Sequence, residues 1–198
     1  MLYFIGYTLS LLILKIFYRF KVYGAENIPK KGGFILASNH ISNMDPFTVG
    51  VGFARKLNFM AKEELFKAPF LAWLFRSWAA FPVKRDTADL SAIKEAIKRV
   101  EAGGGLLLFP EGRRSVNGEI GIKAEAGIGF FAAKLNVPVI PAFVTGTEKA
   151  LPRGAKFLRL SRISVYYGKA VQFDKNKPYQ VIADEILQGI RLLAASST

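Results

Sequence analysis

The chain has 198 residues, about the size of one domain, and its 28 Lys and Arg against 15 Asp and Glu give a formal net charge of +13. Because 51% of the residues are hydrophobic, a disordered basic tail is excluded. The absence of cysteine excludes disulfides, thiolate metal sites and a cysteine nucleophile, and one histidine cannot form a histidine-rich metal site. A basic and apolar chain predicts a polyanionic partner, either nucleic acid or an anionic membrane surface.

Residues 1–21 are predicted to form a membrane-associating helix ahead of the domain. The first fourteen residues carry no charged side chain, and Lys15, Arg19 and Lys21 follow them. A helix over residues 2–20 extends about 28 Å at ~1.5 Å per residue, roughly the hydrocarbon thickness of a bilayer. Because the cations follow the apolar run, a cleaved secretory signal is not expected. The prediction is an uncleaved anchor or an in-plane helix, with the rest of the chain on the cytoplasmic side. A buried core helix is the alternative.

Residues 22–198 alternate between short apolar runs and helical patterns. This alternation predicts a single α/β domain with a largely parallel or mixed central sheet flanked by helices. Helices are expected after Asp86 and Thr87 (with Leu90, Ile93, Ile97 and Val100 on one face), over residues 124–135, and after Pro178. The predicted strands are residues 33–38, 57–61, 79–83, 105–109, 137–144 and 162–167.

The segment 65–80 is rich in aromatic side chains, with Lys67 and Arg76 between them. Aromatic residues interleaved with cations on a short helix are typical of a membrane interface. A core helix packed on the sheet is the alternative. Both hold if one face of the helix contacts the sheet and the other contacts lipid.

The histidine lies in the segment SNHISNMDP, directly after a predicted buried strand, where the active-site loops of α/β proteins emerge. Asp45 precedes Pro46, so it is predicted to cap a helix that begins there. The intervening turn can bring its carboxylate back to the imidazole of His40. A carboxylate bonded to one ring nitrogen fixes the tautomer and raises the basicity of the other nitrogen. The spacing therefore predicts a general base, with a structural histidine as the alternative.

Charged side chains also follow three other predicted strands. The segment FPEGRRS, residues 109–115, places one carboxylate and two guanidinium groups after a buried strand. Guanidinium groups that follow a glycine at a strand end suit a phosphate group, and a solvated basic loop is the alternative. Together these strand ends predict a site for one anionic substrate. The side chains are Lys62, Lys84, Arg85, Glu111, Arg113 and Arg114.

Other catalytic motifs are misplaced or absent. The G-x-G-x-x-A pattern of residues 127–132 lies within a predicted helix rather than after a strand. It therefore indicates close helix packing and not a dinucleotide site. The sequence has no G-x-S-x-G motif, so a serine esterase is not expected.

Four blocks, in order, resemble the glycerolipid acyltransferases, specifically the bacterial PlsC type of 1-acyl-glycerol-3-phosphate acyltransferase, over about residues 23–168. The block N-H-x-[ST]-x-x-D is present at residues 39–45, and an apolar strand ending in Arg is present as FPVKR at residues 81–85. The block F-P-E-G-T-R-S is present as FPEGRRS, with Arg113 in the Thr position, and the last block is VPVIP at residues 137–141.

The resemblance implies transfer of a fatty acyl group to the free hydroxyl of 1-acyl-glycerol-3-phosphate, giving phosphatidic acid, with no metal, no cofactor and no covalent acyl-enzyme. The implied donor is acyl-CoA or acyl-acyl carrier protein. His40 is implied to take the hydroxyl proton, oriented by Asp45, and the VPVIP block to form a wall of the acyl pocket. The implied substrate-binding residues are Lys62, Arg85, Glu111, Gly112 and Arg114.

Other readings of the function remain open. A nucleic-acid-binding module explains the charge but neither the apolar N-terminus nor the four blocks, so no nucleic-acid partner is expected. A non-catalytic basic lipid-binding protein would not usually keep both His40 and Asp45. Within the enzyme class, the acceptor is lysophosphatidate, glycerol-3-phosphate or another lysolipid. The expected location is the cell membrane, on an anionic surface, with the catalytic domain facing the cytoplasm.

Overall fold

A seven-stranded sheet is the centre of the computed structural model, which describes residues 2–84, 89–116, 118–155 and 157–197. Its strands are β1 (Lys21–Tyr23), β2 (Phe34–Ser38), β3 (Leu57–Lys62), β4 (Ala80–Val83), β5 (Gly105–Leu108), β6 (Val139–Thr145) and β7 (Ser164–Tyr167). They lie side by side in the order β1-β7-β6-β2-β5-β3-β4. In the described part of the chain β6 and β7 pair antiparallel and the other neighbours pair parallel. The predicted class, an α/β domain with a mixed sheet, is confirmed.

Helices cover both faces of the sheet. Alternate side chains of a strand point to opposite faces; Phe34 and Leu36 of β2 accordingly join one hydrophobic core, and Ile35 and Ala37 join the other. Strand β2 is buried along its whole length, as a parallel strand covered on both faces should be. The helices are α1 (Leu2–Tyr18), α2 (Asp45–Gly50), α3 (Pro69–Ser77), α4 (Leu90–Glu101), α5 (Ala126–Leu135), α6 (Thr147–Ala150) and α7 (Tyr179–Ser196).

The two helical layers differ in composition. The core that contains Phe34 also takes side chains from α1, α2 and α6, and aromatic residues of α3 pack against it. The core that contains Ile35 is formed with α4, α5 and α7. Helix α1 and helix α7 therefore lie on opposite faces of the sheet.

The six predicted strands are confirmed, and β1 was not predicted. This strand has three residues, and only Val22 is partly shielded from solvent while its two neighbours are exposed. It has no apolar run to signal it. It exists at the edge of the sheet because Lys21 pairs with Ser164 and Tyr23 with Tyr166 on β7.

Helix α4 turns most of the predicted face to the core, with Val100 buried and Ile93 and Ile97 packed against it. Its buried residues are Ala92, Ala96 and Val100, whereas Leu90 is exposed. The small alanines allow the helix to lie close to the sheet. The predicted start after Asp86 and Thr87 lies outside the described residues. At the observed start, the Asp89 side chain caps the helix by accepting hydrogen bonds from the backbone N–H groups of residues 91 and 92.

Helices α5 and α7 approach each other at a glycine. A Cβ atom on Gly129 would lie 1.8 Å from the backbone oxygen of Tyr179, closer than any non-bonded contact. Only glycine fits at this crossing, as the close-packing interpretation of residues 127–132 predicts. Helix α7 packs here through the buried side chains of Ile182, Ile186 and Ile190.

Helix α1 packs one face on the domain. Leu14 and Tyr18 are buried in the core, and the Tyr3 hydroxyl donates to the Arg55 carbonyl and accepts from the Leu57 N–H, both at 3.1 Å. The opposite face is apolar and exposed. Among the described residues, no helix has both the length and the apolar character needed to cross a bilayer. The exposed side chains of α1 are Phe4, Ile5, Leu9, Leu12, Ile13, Ile16 and Phe17.

The predicted aromatic helix in residues 65–80 is observed as α3, and it has two different faces. Phe75, together with Trp78 just after the helix, packs against the core beneath. Phe70 and Trp73 are exposed. Trp78 also contacts α1, where a Cβ atom on Gly6 would lie 2.9 Å from the indole nitrogen. The exposed faces of α1 and α3 thus belong to adjacent helices.

Candidate active site

Loops that follow three adjacent strands meet around His40. The histidine lies two residues beyond the end of β2, and β2 pairs in parallel with β5 on one side and β6 on the other. The loop after β5 begins with Phe109, and α6 begins two residues after β6. Because the carboxyl ends of parallel strands lie at the same edge of a sheet, these loops converge on one place.

Asp45 does not cap helix α2, contrary to the prediction. The helix begins at Asp45 itself, with Met44 in the N-cap position and no side-chain cap hydrogen bond. The carboxylate turns back instead: Oδ2 lies 2.8 Å from Nδ1 of His40 and accepts from the N–H groups of Ile41 and Ser42 at 2.7 Å each. The predicted contact with the imidazole is confirmed, and the same carboxylate closes the turn.

Thr147 completes the environment of the carboxylate. Its hydroxyl donates to Oδ1 of Asp45 at 2.6 Å, and both residues are fully buried. Asp45 therefore accepts from Thr147 through one oxygen and meets three nitrogen atoms of the turn through the other. Sequence reasoning missed Thr147, because it lies 102 residues away from Asp45 and beyond the recognised blocks.

This geometry sets the protonation pattern of the imidazole. An ionised Asp45 only accepts hydrogen bonds, so Nδ1 of His40 must carry a proton in their contact. The lone pair of the neutral ring is then on Nε2, the nitrogen that faces away from the carboxylate. About 12% of the His40 side chain is exposed, which leaves the ring accessible to a substrate hydroxyl.

The FPEGRRS segment holds His40 from the other side. The Phe109 ring stacks on the imidazole, with centroids 4.0 Å apart and planes at 16°. The backbone N–H of His40 donates to Oε1 of Glu111 at 3.1 Å, and its carbonyl accepts from the Ser115 N–H at 2.7 Å. Sequence reasoning did not assign Phe109 a role, although it is the first residue of the segment.

Two other residues of the first block fix the turn to its surroundings. The Asn39 side chain donates to the Val144 carbonyl at 2.9 Å and accepts from the Val144 N–H at 2.8 Å. The Ser42 hydroxyl donates to the Leu151 carbonyl at 3.0 Å. The block therefore supplies the imidazole–carboxylate pair and also the bonds that tie it to β6 and to the chain after α6.

Glu111 and Gly112 shape the loop after β5. Besides His40, the Glu111 carboxylate accepts from the Gly121 N–H at 3.0 Å through Oε2. Gly112 has a φ of +66°, and a Cβ atom there would lie 2.9 Å from Cγ of Glu125, so glycine is required. The resemblance implies substrate binding by Glu111, and its hydrogen bonds to described residues hold the loop against the His40 turn.

The predicted cations are placed differently from one another. Arg114 is half-buried and Arg113 is exposed, and neither forms a salt bridge with a described residue. Lys62 is exposed at the end of β3, which β5 separates from β2. The Lys84 N–H donates to the Asp89 carboxylate at 2.9 Å. Arg85 lies outside the described residues.

An apolar cleft opens beside the helix that begins at Asp45. It lies between α1, α2, β3 and Trp78, and the VPVIP block (residues 137–141) contributes none of its lining. That block instead enters the central strand β6, where Ile140 is fully buried. The cleft is lined by Tyr3, Tyr7, Pro46, Phe47, Gly50, Val51, Leu57, Phe59 and Trp78.

A histidine–aspartate pair thus lies at the carboxyl ends of strands in a mixed α/β sheet, with a cationic loop beside it. The sequence model of the family described as Acyltransferase matches residues 19–145. The chain belongs to this family, and the resemblance inferred from the four blocks is confirmed.

The similar proteins carry consistent names. A 1-acyl-sn-glycerol-3-phosphate acyltransferase of Bacillus subtilis is 33% identical over 127 residues, which cover 64% of this chain and 62% of that protein. The chloroplastic enzyme BAT2 of Brassica napus, with the same name, is 31% identical over 71% of this chain and 41% of its own length. Compared with these curated relatives, this chain spans about half of their length.

A solved structure shares the fold. The crystal structure of the 1-acyl-sn-glycerophosphate acyltransferase PlsC from Thermotoga maritima superposes with a TM-score of 0.76 at 27% sequence identity. The match covers 96% of this chain and 79% of that chain. The likeness therefore includes helix α1 as well as the sheet.

Proposed function

We propose that the protein is a 1-acyl-sn-glycerol-3-phosphate O-acyltransferase that forms phosphatidic acid for phospholipid biosynthesis. The observation that carries this proposal is the 2.8 Å contact between Nδ1 of His40 and the buried Asp45 carboxylate. It occurs in a chain whose similar proteins are named for this activity. The donor is acyl-CoA or acyl-acyl carrier protein.

In the proposed reaction, His40 acts as the general base. Nε2 takes the proton of the acceptor hydroxyl as the oxygen attacks the thioester carbonyl, and Asp45 stabilises the imidazolium that forms. The tetrahedral intermediate then collapses, the carbon–sulfur bond breaks, and the thiolate receives the proton from Nε2. The products are the ester and the free thiol. The protein itself is never acylated, so no nucleophilic side chain is needed.

Arg114 is the proposed main contact for the phosphate of the acceptor. It lies three residues beyond Glu111, whose carboxylate is bonded to the backbone of His40, so its cation is close to the base. A half-buried guanidinium without an ion pair is available for a charge-assisted, bidentate bond to phosphate. We propose that Arg85 adds a second cation, and that Lys62, at the outer side of β5, interacts at longer range.

We propose that an acyl chain enters at the apolar cleft beside α2, which must widen to hold it because its volume is about 20 Å³ in this structure. Its wall includes Pro46 and Phe47, which directly follow Asp45, so a chain in the cleft would have its carbonyl end near His40. Its other walls are aromatic and aliphatic, as expected for a site that binds hydrocarbon. A chain in this cleft would also contact α1, because Tyr3 and Tyr7 form one side of it.

The proposed location is the cell membrane, with the catalytic domain on the cytoplasmic face. The exposed apolar faces of α1 and α3 are adjacent, and Lys15, Arg19 and Lys21 lie at the end of α1. An apolar face removed from water gains about 25 cal/mol per Å², and each nearby cation adds about 1 kcal/mol at an anionic leaflet. This supports α1 lying in the plane of the interface, where a lysolipid acceptor need not leave the bilayer.

An acyltransfer assay on the purified protein tests the proposed function. The acceptors are lysophosphatidate, glycerol-3-phosphate and a zwitterionic lysolipid, each with acyl-CoA and with acyl-acyl carrier protein. We expect the highest rate with lysophosphatidate and no rate in the His40→Ala variant. A preference for the other lysolipid would support the alternative acceptor. No transfer to any acceptor would contradict the proposal and favour a non-catalytic lipid-binding protein.

The membrane location has its own test. We expect the full-length protein to remain with membranes when they are washed in high salt, because apolar contacts do not depend on screened charges. Replacing Leu9 and Ile13 by serine on the exposed face of α1 should release the protein while leaving its folding intact. Complete release of the unmodified protein by salt alone would contradict an inserted α1.

A further inference from the structure

Between α6 and β7 the structure describes residues 151–155 and 157–162. They present a surface that the proposed reaction does not use, and we call these residues the basic loop. Phe157 and Leu160 are 81% and 77% exposed, and Leu158 between them is also exposed. Single exposed apolar residues are ordinary on protein surfaces, but three large ones within four positions are not.

The exposed cations of the basic loop alternate with these apolar side chains. Arg153, Arg159 and Arg162 are all exposed, and none of them forms a salt bridge with a described residue. The sequence contains no acidic residue between Glu148 and Asp174. The loop is therefore complementary to an anionic and apolar partner.

Backbone hydrogen bonds hold the loop at its base. The Arg159 N–H donates to the Ala150 carbonyl at 2.8 Å, and the Ile163 N–H donates to the Tyr18 carbonyl at 3.0 Å. The Ser161 hydroxyl donates to the Gly146 carbonyl at 2.9 Å. The loop is thus fixed to α6 and to the last residue of α1, while Phe157, Leu158 and Leu160 are exposed.

We propose that the basic loop is a second membrane-binding element, which inserts its apolar side chains into an anionic leaflet while its guanidinium groups bind lipid phosphates. Large apolar residues next to cations are the pattern of interfacial segments, and guanidinium binds phosphate bidentately. The end of the loop also lies next to the end of α1, since the Ile163 N–H donates to the Tyr18 carbonyl. An acidic carrier protein would also bind the guanidinium groups of the loop, but it would not require three large exposed apolar side chains among them.

The base of the loop is also bonded to the catalytic turn. The Leu151 carbonyl accepts from the Ser42 hydroxyl, and Thr147, four residues earlier, donates to Asp45. Binding of the loop to the leaflet would therefore set the height and tilt of the His40 site above the lipid surface. This part of the inference rests on the proposed acyltransferase function, whereas lipid binding by the loop does not.

Vesicle flotation with the purified full-length protein tests the proposal. The vesicles are phosphatidylcholine alone and phosphatidylcholine with phosphatidylglycerol. Replacing Arg153, Arg159 and Arg162 together by glutamine should weaken binding to the anionic vesicles by about 100-fold, since each cation near such a surface contributes on the order of fivefold. Binding to neutral vesicles should change little.

A second variant separates the apolar contribution from the charge. Phe157→Ser with Leu160→Ser should weaken binding to both kinds of vesicle. The matched control is Leu192→Ser, an exposed leucine on α7, on the face of the sheet opposite to α1, which should bind like the parent. Thermal unfolding of each variant shows that the fold is retained, as expected for exposed positions.

Two results would overturn the proposal. One is anionic-vesicle binding by the triple arginine variant that equals that of the parent. The other is a loop variant with unchanged vesicle binding, a lower acyltransfer rate from acyl-acyl carrier protein and a normal rate from acyl-CoA. This result would assign the loop to a protein partner. If the parent protein had no acyltransfer activity but the loop variants lost vesicle binding, lipid binding by the loop would be supported. Only the proposed function would be contradicted.

Discussion

The turn from His40 to Asp45 and the loop after β5 meet at the same site but are held in different ways. In the turn, the functional side chains themselves are fixed by the protein: the Asp45 carboxylate lies within hydrogen-bond distance of four donors. In the loop, the backbone and Glu111 are fixed, while the guanidinium groups of Arg113 and Arg114 have no ionic partner among the described residues. In the proposed reaction the proton-transfer geometry would thus be complete before substrate arrives, as preorganisation requires, whereas the proposed anion site would gain its partner only with the substrate.

The largest expected effect on turnover comes from substitutions of the paired side chains in the turn from His40 to Asp45. His40→Ala should abolish turnover, and Asp45→Asn should lower kcat severely, because positioned proton transfer typically contributes ~10²–10⁴-fold. The measurement is the steady-state rate with saturating donor and acceptor. Circular dichroism and acceptor binding serve as controls that the variants fold. A folded His40→Ala protein with a near-normal rate would end the general-base proposal.

Removing a cation from the loop after β5 should weaken acceptor binding rather than slow the chemical step. Arg114→Ala should lower kcat/KM for the acceptor by about 10–100-fold, since losing a charge-assisted bond costs about 1.5–3 kcal/mol. The KM for the donor should change little. Arg113→Ala is the matched comparison and should have a smaller effect, because Arg113 is the more exposed of the two. An unaltered acceptor KM and rate in Arg114→Ala would place the phosphate site elsewhere.

Thr147 sharpens the comparison because it acts on the turn without any access to substrate. Thr147→Val keeps the volume but removes the donor to Asp45, and we expect kcat to fall about tenfold, the loss of one hydrogen bond to a charged group. The KM values should stay the same, and Thr147→Ser should restore most of the rate. If Thr147→Ser were as slow as Thr147→Val, the hydroxyl would not be the positioning group.

The smallest effect is expected at a hydrogen-bonded carboxylate far from the turn. Hydrogen bonds from Lys84, Ser91 and Ala92 lower the pKa of Asp89 to about 2. Since this folded-state pKa is below the ordinary value, the stabilisation is present at neutral pH and is lost as the pH falls from about 4 towards 2. Asp89→Ala should lower Tm by about 2–4 °C at neutral pH and by less near pH 2. An equal Tm loss at both pH values would show that the carboxylate charge is not involved.

Local patterns were sufficient to predict the pair at the centre of the site. His40 and Asp45 are five residues apart in one turn, so their contact follows from short-range geometry. The direction of the Asp45 side chain was not predictable in the same way. A carboxylate before proline suits a helix cap, but Asp45 is the first residue of the helix, and its carboxylate meets a ring nitrogen and two N–H groups that only the folded turn brings together.

Long-range contacts explain what sequence reasoning missed. Thr147 reaches Asp45 only because β2 and β6 are neighbours in the sheet, an order that no local pattern encodes. The stacking of Phe109 on His40 likewise depends on the pairing of β2 with β5. On α4 the predicted Ile93, Ile97 and Val100 do face the core, whereas Leu90 is exposed. The buried Ala92 and Ala96 were not predicted because alanine is a weak hydrophobic signal.

The short strand β1 has a consequence for the order of folding. Lys21 pairs with Ser164, about 140 residues later, and the Ile163 N–H is bonded to Tyr18. During synthesis at ~5–20 residues per second, the N-terminal segment waits roughly 7–30 s before its partner strand exists. Nascent chains stalled before residue 160 should therefore leave residues 1–20 open to protease in the absence of membranes, and protection at that stage would contradict this order. Throughout that interval the end of α1 lacks its bond to Ile163, and a lipid surface is another environment in which the exposed apolar side chains of α1 can leave water.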